Sequence, residues 1–414
     1  MKNLTRLTLV ILPLLAWLLF ACNFTAKKRI VVWSSLRPVE RELLKEKLDE
    51  FGNRHPDYQF VELFYAPEVL RTNFIISSLA GKGPDLIHAA SDNIGPLSEL
   101  EVIKPLEELF SKEFLDSFIT KPFPANTWFK GHLYQIADRV GNHLCLVYNK
   151  DIIETPPETM SALIALRDEI IDNSQRKEKG VRYVLAWNYT EPFFAVPFIG
   201  GFGGWILDKS NSPNLDSGPV IQAAQFIYDL AHKYKVIPEE CDYETANALF
   251  LDGQSAMIIN GPWSWGTYIN NGMNIGLARI PKIDETGLWP TPLVSPLGYL
   301  VNINTKGKQL DIVVELIHYL TSPEVENQFT EEFAIIPSRK ILFDSPQFQE
   351  NELLKAALDQ MMVGRPMPVI TEMRWIWDAM RPAYQGIFTG AYTPRQAARE
   401  MQLLAEKLIR ENRG

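Results

Sequence analysis

Residues 29–90 alternate between strand and helix patterns, and this alternation limits the possible folds more than any other feature of the chain. Short apolar runs and alternating apolar residues predict strands, while apolar residues at helical spacing predict the helices between them. The predicted order is strand 29–33, helix 39–51, strand 58–65, helix 67–79 and strand 86–90. Strands joined through helices are typical of a mostly parallel sheet that is covered on both faces.

The second half of the chain repeats this α/β pattern. The sequence predicts strands at 182–186, 274–280 and 298–302 and a clear amphipathic helix at 221–234. An apolar strand at 144–148 lies between the two halves, and we expect the chain to cross there into a second lobe. A length of 414 residues is enough for two or three ordinary domains.

The N-terminus carries the features of a bacterial export signal. Lys2 and Arg6 precede an apolar run at 9–20 that is too short to be read as a membrane-spanning helix. The run ends in Leu-Phe-Ala-Cys at 19–22, which resembles a lipobox in which Cys22 is lipidated after cleavage. We therefore expect a signal peptide at 1–21 and a tether at 22–28. Ordinary secretion without lipidation is the alternative.

Composition and motifs argue against several classes of function. The net charge of -9 disfavours nucleic acid as a partner, because phosphate binding requires a basic surface. The sequence has no Gly-x-Ser-x-Gly elbow, His-Glu-x-x-His, phosphate loop or Cys-x-x-Cys, and its six histidines lack ligand spacing. Neither a metal nor a cofactor is expected. Paired carboxylates of a glycoside hydrolase stay open, since many acids can meet in a fold.

Two cysteines remain beyond the lipobox. Cys145 lies in the apolar strand pattern and Cys241 in an acidic loop, so we expect two free thiols.

Residues 250–265 combine a helix end, a turn, a buried strand and a second turn. Asp252-Gly253 and Asn260-Gly261-Pro262 are turn signals, and the apolar run at 256–259 lies between them. Trp263 and Trp265 follow the second turn at once. The carboxyl edge of an α/β sheet is where ligands bind, so the turn favours Trp263 as a ligand platform. The alternative is that both rings belong to the core.

Aromatic residues stand beside polar groups at two further places, 191–194 and 375–381. A sugar suits such a pattern, because its apolar face packs on a ring while its hydroxyls bind carboxylate, amide and guanidinium groups. Core packing beside a solvated charge is the competing interpretation. From these residues alone, the two interpretations have about equal support.

A set of motifs in fixed order resembles the sugar-binding proteins of ABC importers, specifically the maltose/maltodextrin-binding proteins. The similarity extends from residue 29 to the C-terminus, and its marks are the segments 83–85, 131–134, 146–151, 156–157, 188–194, 250–265, 320–324 and 367–381. The resemblance implies a type II periplasmic-binding-protein fold, in which sugar is held between two α/β lobes that close by hinge rotation. It also implies a receptor that is not an enzyme and that delivers sugar to a membrane permease driven by ATPase subunits.

The expected N-lobe comprises 29–140 and 297–341, and the expected C-lobe comprises 141–296 and 342–414. We expect a monomer that is located in the periplasm or at the cell surface and anchored to the membrane by lipid on Cys22.

The resemblance also assigns sugar-binding roles position by position. On the C-lobe side it points to a carboxylate, two aromatic residues, two stacking platforms, a cleft contact and an arginine, namely Glu191, Phe193, Phe194, Trp263, Trp377, Met367 and Arg381. On the N-lobe side it points to Asp92 as a hydroxyl-binding aspartate. Asn142 is included as a site residue, although the family carries a glutamate at that position.

Other N-lobe positions also depart from the family pattern. Ala89 stands where the family has a stacking tryptophan, Asn93 replaces an arginine, and Leu36-Arg37 replaces an Asp-Lys pair. Stacking is therefore expected mainly on one wall, and another disaccharide, a glucoside or another α-glucan is also a possible ligand. The alternatives in function are a receptor for another small solute, a receptor for a sensor kinase, and a secreted glycoside-active enzyme.

Overall fold

The computed structural model describes residues 27–174 and 180–412, with side chains given from 27–171 and 180–412. The predicted signal peptide and Cys22 lie outside the described residues.

Twelve strands are formed within the described part of the chain. In chain order they are β1 Lys28–Ser34, β2 Tyr58–Phe64, β3 Leu86–Ala90, β4 Thr127–Phe129, β5 His132–Asn142, β6 Cys145–Asn149, β7 Tyr183–Ala186, β8 Ser255–Asn260, β9 Ile275–Ala278, β10 Leu293–Val301, β11 Ile336–Pro337 and β12 Arg365–Pro366.

Helices surround these strands. In chain order they are α1 Pro38–Arg54, α2 Pro67–Leu79, α3 Ile94–Glu99, α4 Lys112–Asp116, α5 Met160–Ser174, α6 Val196–Gly201, α7 Gly218–His232, α8 Tyr243–Leu251, α9 Pro262–Asn270, α10 Lys308–Leu320, α11 Pro323–Phe333, α12 Lys340–Phe343, α13 Pro346–Glu350, α14 Glu352–Met361, α15 Met373–Phe388 and α16 Pro394–Asn412. Two single-turn 3-10 helices, Ser91–Asn93 and Pro192–Phe194, follow β3 and β7 respectively.

The strands form two sheets. The first has the order β11-β5-β10-β3-β1-β2, with β4 on β5 and β12 on β10, and the second has the order β7-β8-β6-β9. We use "first unit" for the first sheet without β12, together with α1–α4 and α10–α12. We use "second unit" for the second sheet with α5–α9 and α13–α16. The expected α/β fold class is confirmed, whereas the residue boundaries of the lobes stay a prediction.

The pairing within the sheets corrects the expectation that each is mostly parallel. β1 pairs in parallel with β2 and β3, as the strand-helix alternation predicts, but β10 is antiparallel to both β3 and β5. The reason is the path of the chain: β10 starts opposite the end of β3, where Leu297 faces Ala90, and runs away from that edge. In the second sheet β6 is antiparallel to β8 and β9, and only β7 and β8 are parallel.

The local elements follow the sequence closely where a turn or a helix cap is well defined. The hairpin between β4 and β5 turns at Lys130 and Gly131, whose φ angles of 50° and 86° are those of a primed two-residue turn. Residues 192–194 form a 3-10 turn, which α6 follows after one residue.

A large apolar core extends through both sheets, and a smaller one lies under α2 and α3 against β1 and β3. Cys145 and Cys241 are buried and free, which confirms the two expected thiols. Within the described residues, no helix combines the length and the hydropathy needed to cross a bilayer.

A chain of buried polar and charged side chains links three elements of the first unit, α1, β3 and β5. Arg139 on β5 contacts Glu40 in the first turn of α1 and its neighbour Asp138, and His88 Nε2 on β3 lies 3.0 Å from both oxygens of Asp138. Burial opposes the ionisation of Asp138, but the charges of Arg139 and His88 outweigh it and hold its pKa below the usual value. These four side chains are buried, so each charge depends on its neighbours.

Replacing Arg139 by methionine should destabilise the protein strongly. Arg139→Met leaves two buried carboxylates without their cation, and loss of one buried partner costs about 3–5 kcal/mol of unfolding free energy. Urea denaturation measures this loss. The control is Lys112→Met, which removes an exposed pair with Asp116 and should change little. A midpoint for Arg139→Met equal to that of the control would contradict the role given to the charge chain.

Candidate functional site

Residues 250–265 fold as helix end, turn, strand, turn and helix start. Gly253 supplies a φ of 68° after α8, β8 is buried along its whole length, and Pro262 opens α9. The two tryptophans then separate: Trp265 is 0% exposed and belongs to the core, whereas Trp263 is only partly buried. Trp263 lies directly over Gly261, where an added Cβ would come within 2.1 Å of its ring. A glycine at 261 is therefore required for this ring position.

Three aromatic rings of the second unit form a cluster. The ring centroid of Phe193 lies 6.3 Å from that of Trp263 and 6.5 Å from that of Trp377. Phe194 packs edge-on against Phe193 and is 4% exposed. Phe194 thus supports the cluster from the core side, while Phe193 and Trp263 stay partly accessible.

Arg381, one turn after Trp377 on α15, is surrounded by carboxylates. It donates to Glu191 through Nε and Nη2, both at 3.2 Å, and to Asp378 at 3.3 Å. Its Nη2 also lies 3.8 Å from Glu68 Oε1 on α2 of the first unit. Burial lowers the pKa of Arg381, but its bonds to Glu191 and the nearby carboxylates outweigh this effect and raise it. Arg381 thus reaches towards both units.

Asp92 is a residue of the first unit, close in sequence to the end of β3, that interacts with the Trp377 side chain. It lies in the 3-10 turn after β3, where the Trp377 side chain influences the ionisation of its carboxyl. Burial raises the pKa of Asp92 above the usual 3.8 and Glu68 adds to this, whereas Arg71 and the Trp377 side chain act in the opposite direction. An aspartate with this environment accepts hydrogen bonds from a ligand but is protonated more readily than a surface carboxylate.

Two other residues expected at the site lie away from these contacts. Asn142 ends β5, where its Nδ2 donates to Ser295 Oγ at 3.3 Å. Met367 follows β12, is 8% exposed and donates its backbone N–H to Val294. Ala89 is buried, and Asn93 bonds back to Ala90 O and Asp92.

The structure adds residues that the sequence did not suggest. Glu68 and Arg71 bond to each other on the first turns of α2 and face Asp92 and Arg381. Arg37, noted only as a departure from the family, stacks on Tyr243 of the second unit. An acid in the first turn of a helix usually indicates only helix-dipole stabilisation, so Glu68 carried no functional signal.

Together these residues form an aromatic wall on the second unit facing a polar, charged wall on the first. Such a pair of walls can stack a planar or pyranose ring and bind its polar rim through carboxylate and guanidinium groups. Among the described residues, no group of three or more His, Cys, Asp or Glu side chains is placed to hold a metal ion.

Comparison with known proteins places the chain among solute-binding proteins. The sequence profile described as bacterial extracellular solute-binding protein matches residues 49–356. A solved structure of a maltose/maltodextrin-binding domain from Bdellovibrio bacteriovorus, bound to maltotriose, is 40% identical with a TM-score of 0.87. The match covers 92% of this chain and 100% of that domain.

Two curated relatives are more distant. A maltotriose-binding protein of Pyrococcus abyssi (strain GE5 / Orsay) is 26% identical over 364 residues, covering 87% of this chain and 77% of the relative. A galactooligosaccharide-binding protein of Bacillus subtilis (strain 168) is 26% identical over 386 residues, covering 89% of this chain and 86% of the relative.

The pairing of Asp92 with Trp377 predicts a pH-dependent signal from one indole. As pH falls, Asp92 should take up a proton at a pH above 3.8, the usual pKa of an aspartate, which removes a negative charge that the Trp377 side chain senses. In a nitrogen-15 NMR titration, the Trp377 indole resonance, assigned by its loss in Trp377→Phe, should shift with that protonation. Asp92→Asn should abolish the shift. A Trp377 resonance that shifts equally in Asp92→Asn would show that Asp92 is not its partner.

Proposed function

Because the chain belongs to the family of bacterial extracellular solute-binding proteins, we propose that it is the sugar receptor of an ABC importer. It binds maltotriose or a related maltodextrin between its two units and delivers the sugar to a membrane permease coupled to ATPase subunits. The observation that carries this proposal is the aromatic cluster of Phe193, Trp263 and Trp377 beside the Arg381–Glu191 ion pair. The similarity to a domain bound to maltotriose supports the choice of ligand class.

In this proposal the two walls have different roles. Trp263 and Trp377 stack on pyranose rings with Phe193 between them, and Phe194 supports the platform from the core. Met367 contacts the sugar elsewhere in the cleft. Glu191 and Arg381 bind hydroxyls on the same side, where their mutual hydrogen bonds fix the orientation of both groups. Asp92 and Glu68 bind hydroxyls from the first unit, and Asn142 contributes at the edge of the site, beside Ser295.

The N-terminal features complete the proposal. Lipidation of Cys22 anchors the receptor as a monomer in the periplasm or at the cell surface, and 29–140 with 297–341 and 141–296 with 342–414 move as lobes. Several kilocalories per mole of apolar transfer energy from the acyl chains, at about 0.8 kcal/mol per CH₂, hold it at the membrane.

A glycoside-active enzyme is the second candidate, and one observation favours it. The raised pKa of Asp92 is a property shared by general acids of glycosidases. Against it, Glu191 is held by Arg381, and the relatives are named as binding proteins. The receptor therefore remains the better-supported function.

The proposal predicts tight binding of maltotriose that depends on both platforms. Stacking on a ring together with its burial contributes on the order of 1–3 kcal/mol, so Trp263→Ala and Trp377→Ala should each weaken binding several-fold to about a hundredfold. Calorimetry of the mature protein with maltose, maltotriose and a β-galactooligosaccharide measures this. The matched control is Trp128→Ala, because Trp128 is 51% exposed on the β4–β5 hairpin and should leave affinity unchanged.

Three outcomes separate the alternatives. Wild-type affinity in both platform variants would assign the rings to structure only. Preference for the galactooligosaccharide would keep the receptor and change its ligand. Hydrolysis of maltotriose that disappears in Glu191→Gln would reject the proposed receptor function in favour of a glycoside-active enzyme.

The proposed anchor gives a separate prediction. Cys22→Ser should release the mature protein from the membrane fraction, since the lipidated residue is lost, while its affinity for sugar stays unchanged. Cell fractionation with immunodetection of the wild type and Cys22→Ser tests this. Equal amounts of both proteins in the soluble fraction would contradict lipidation at Cys22.

A further inference from the structure

Arg37 and Tyr243 form a direct contact between the two units. The guanidinium carbon of Arg37 lies 4.1 Å from the centroid of the Tyr243 ring. Arg37 is in the loop between β1 and α1, and Tyr243 is the first residue of α8, which packs on β8. A cation over an aromatic face at this distance is a favourable interaction. Because its partners belong to different units, it forms only when the units approach each other.

Tyr243 is fixed by the same network that supports the Trp263 platform. Asn247 Nδ2 donates to the backbone carbonyl of Tyr243 at 2.6 Å, and Asn260 Nδ2 lies 3.3 Å from Asn247 Oδ1, to which it donates. Asn260 Oδ1 in turn accepts from the backbone N–H of Gly261 at 3.0 Å. Gly261 is the residue over which the Trp263 ring lies. The position of Tyr243 is thus tied to the start of α9 and to the platform.

Arg37 is fixed by the charge chain of the first unit. Its backbone N–H donates to Glu40 Oε2 at 3.3 Å, and Glu40 is bound by Arg139. The loop that carries Arg37 therefore has little freedom to follow Tyr243 if the units move apart. Since both partners are fixed within their own units, separation of the units breaks the contact rather than stretching the loop.

We propose that Arg37 and Tyr243 form an interlobe clasp that stabilises the approach of the two walls and so slows the release of bound sugar. The proposal rests on the proposed receptor function for its ligand, but the clasp itself follows from the contact. The two residues act as positioning residues. Tyr243 is tied to the Trp263 platform and Arg37 to the polar wall, so their contact holds the two walls in a fixed position relative to each other. Affinity then depends on a pair separate from the proposed stacking and hydroxyl-binding groups.

A double-mutant cycle tests the clasp with maltotriose as the probe. Arg37→Ala and Tyr243→Leu should each raise the dissociation rate constant, and with it Kd, by about two- to thirtyfold, while the association rate constant changes little. The double variant should lose no more than the more affected single variant. Stopped-flow tryptophan fluorescence measures both rate constants. Effects that multiply in the double variant would mean that the residues act through separate contacts, which overturns the clasp.

Two controls keep the result free of folding effects. Arg54→Ala removes a similar contact, an arginine 5.0 Å from the Tyr319 ring within the first unit, and should leave both rate constants unchanged. Tyr243→Phe keeps the ring and should retain near-wild-type dissociation even if Tyr243→Leu proves unstable in thermal unfolding. Fast dissociation in a folded Tyr243→Phe would assign the effect to the Tyr243 hydroxyl and overturn the stacking role.

Small-angle X-ray scattering with no sugar added separates failure of the clasp from failure of the proposed ligand. Arg37→Ala should have a larger radius of gyration than the wild type, and Arg54→Ala should not. Identical scattering of the wild type and Arg37→Ala overturns the clasp. A larger radius together with no binding of maltotriose by the wild type retains the clasp and rejects the ligand.

Discussion

The buried contact of Arg139 with Glu40 and Asp138 is the interaction on which the first wall depends. Through Glu40 it fixes the first turn of α1 and the loop before it, and through Asp138 it reaches His88 on β3. β10 lies between β3 and β5, so the His88–Asp138 contact spans a strand and ties the middle of the sheet together. Asp92 follows four residues after His88. One charge chain therefore positions two segments that are far apart in sequence, the loop before α1 and the turn that carries Asp92.

The charges at the site are already paired with one another. Arg381 bonds to Glu191 and Asp378, Glu68 bonds to Arg71, and Asp92 accepts from Asn93. Such pairing holds each group in one orientation, which reduces the entropy lost when a ligand is bound. It also means that a ligand must add hydrogen bonds to occupied groups or replace existing ones. Specificity then depends on whether its hydroxyls match the free lone pairs and N–H groups of this network.

Local patterns in the sequence predicted the elements more reliably than their arrangement. The helix over 67–79 and the strand over 86–90 have the predicted bounds, because Pro67 and the Gly81 to Pro84 turn mark their limits. The partly exposed Trp263 follows from the Gly-Pro turn before it. The antiparallel path of β10 had no local signal, since it depends on where the chain re-enters the first sheet. Glu68 and Tyr243 were missed for the same reason: their partners lie on the other unit.

Ala89 and Arg37, two of the departures from the family pattern, make contacts in different units. Ala89 is buried in the same small core as Trp33, whose ring packs against Tyr65 at 4.6 Å between centroids. Trp33 on β1 and Tyr65 after β2 are among the aromatic side chains of this core. Arg37, a charged residue at the edge of the first unit, makes a cation–π contact with the Tyr243 ring of the second unit. In the proposed receptor, stacking on the sugar comes from one wall only, so we expect the stability of the approach between the walls to affect affinity in its own right.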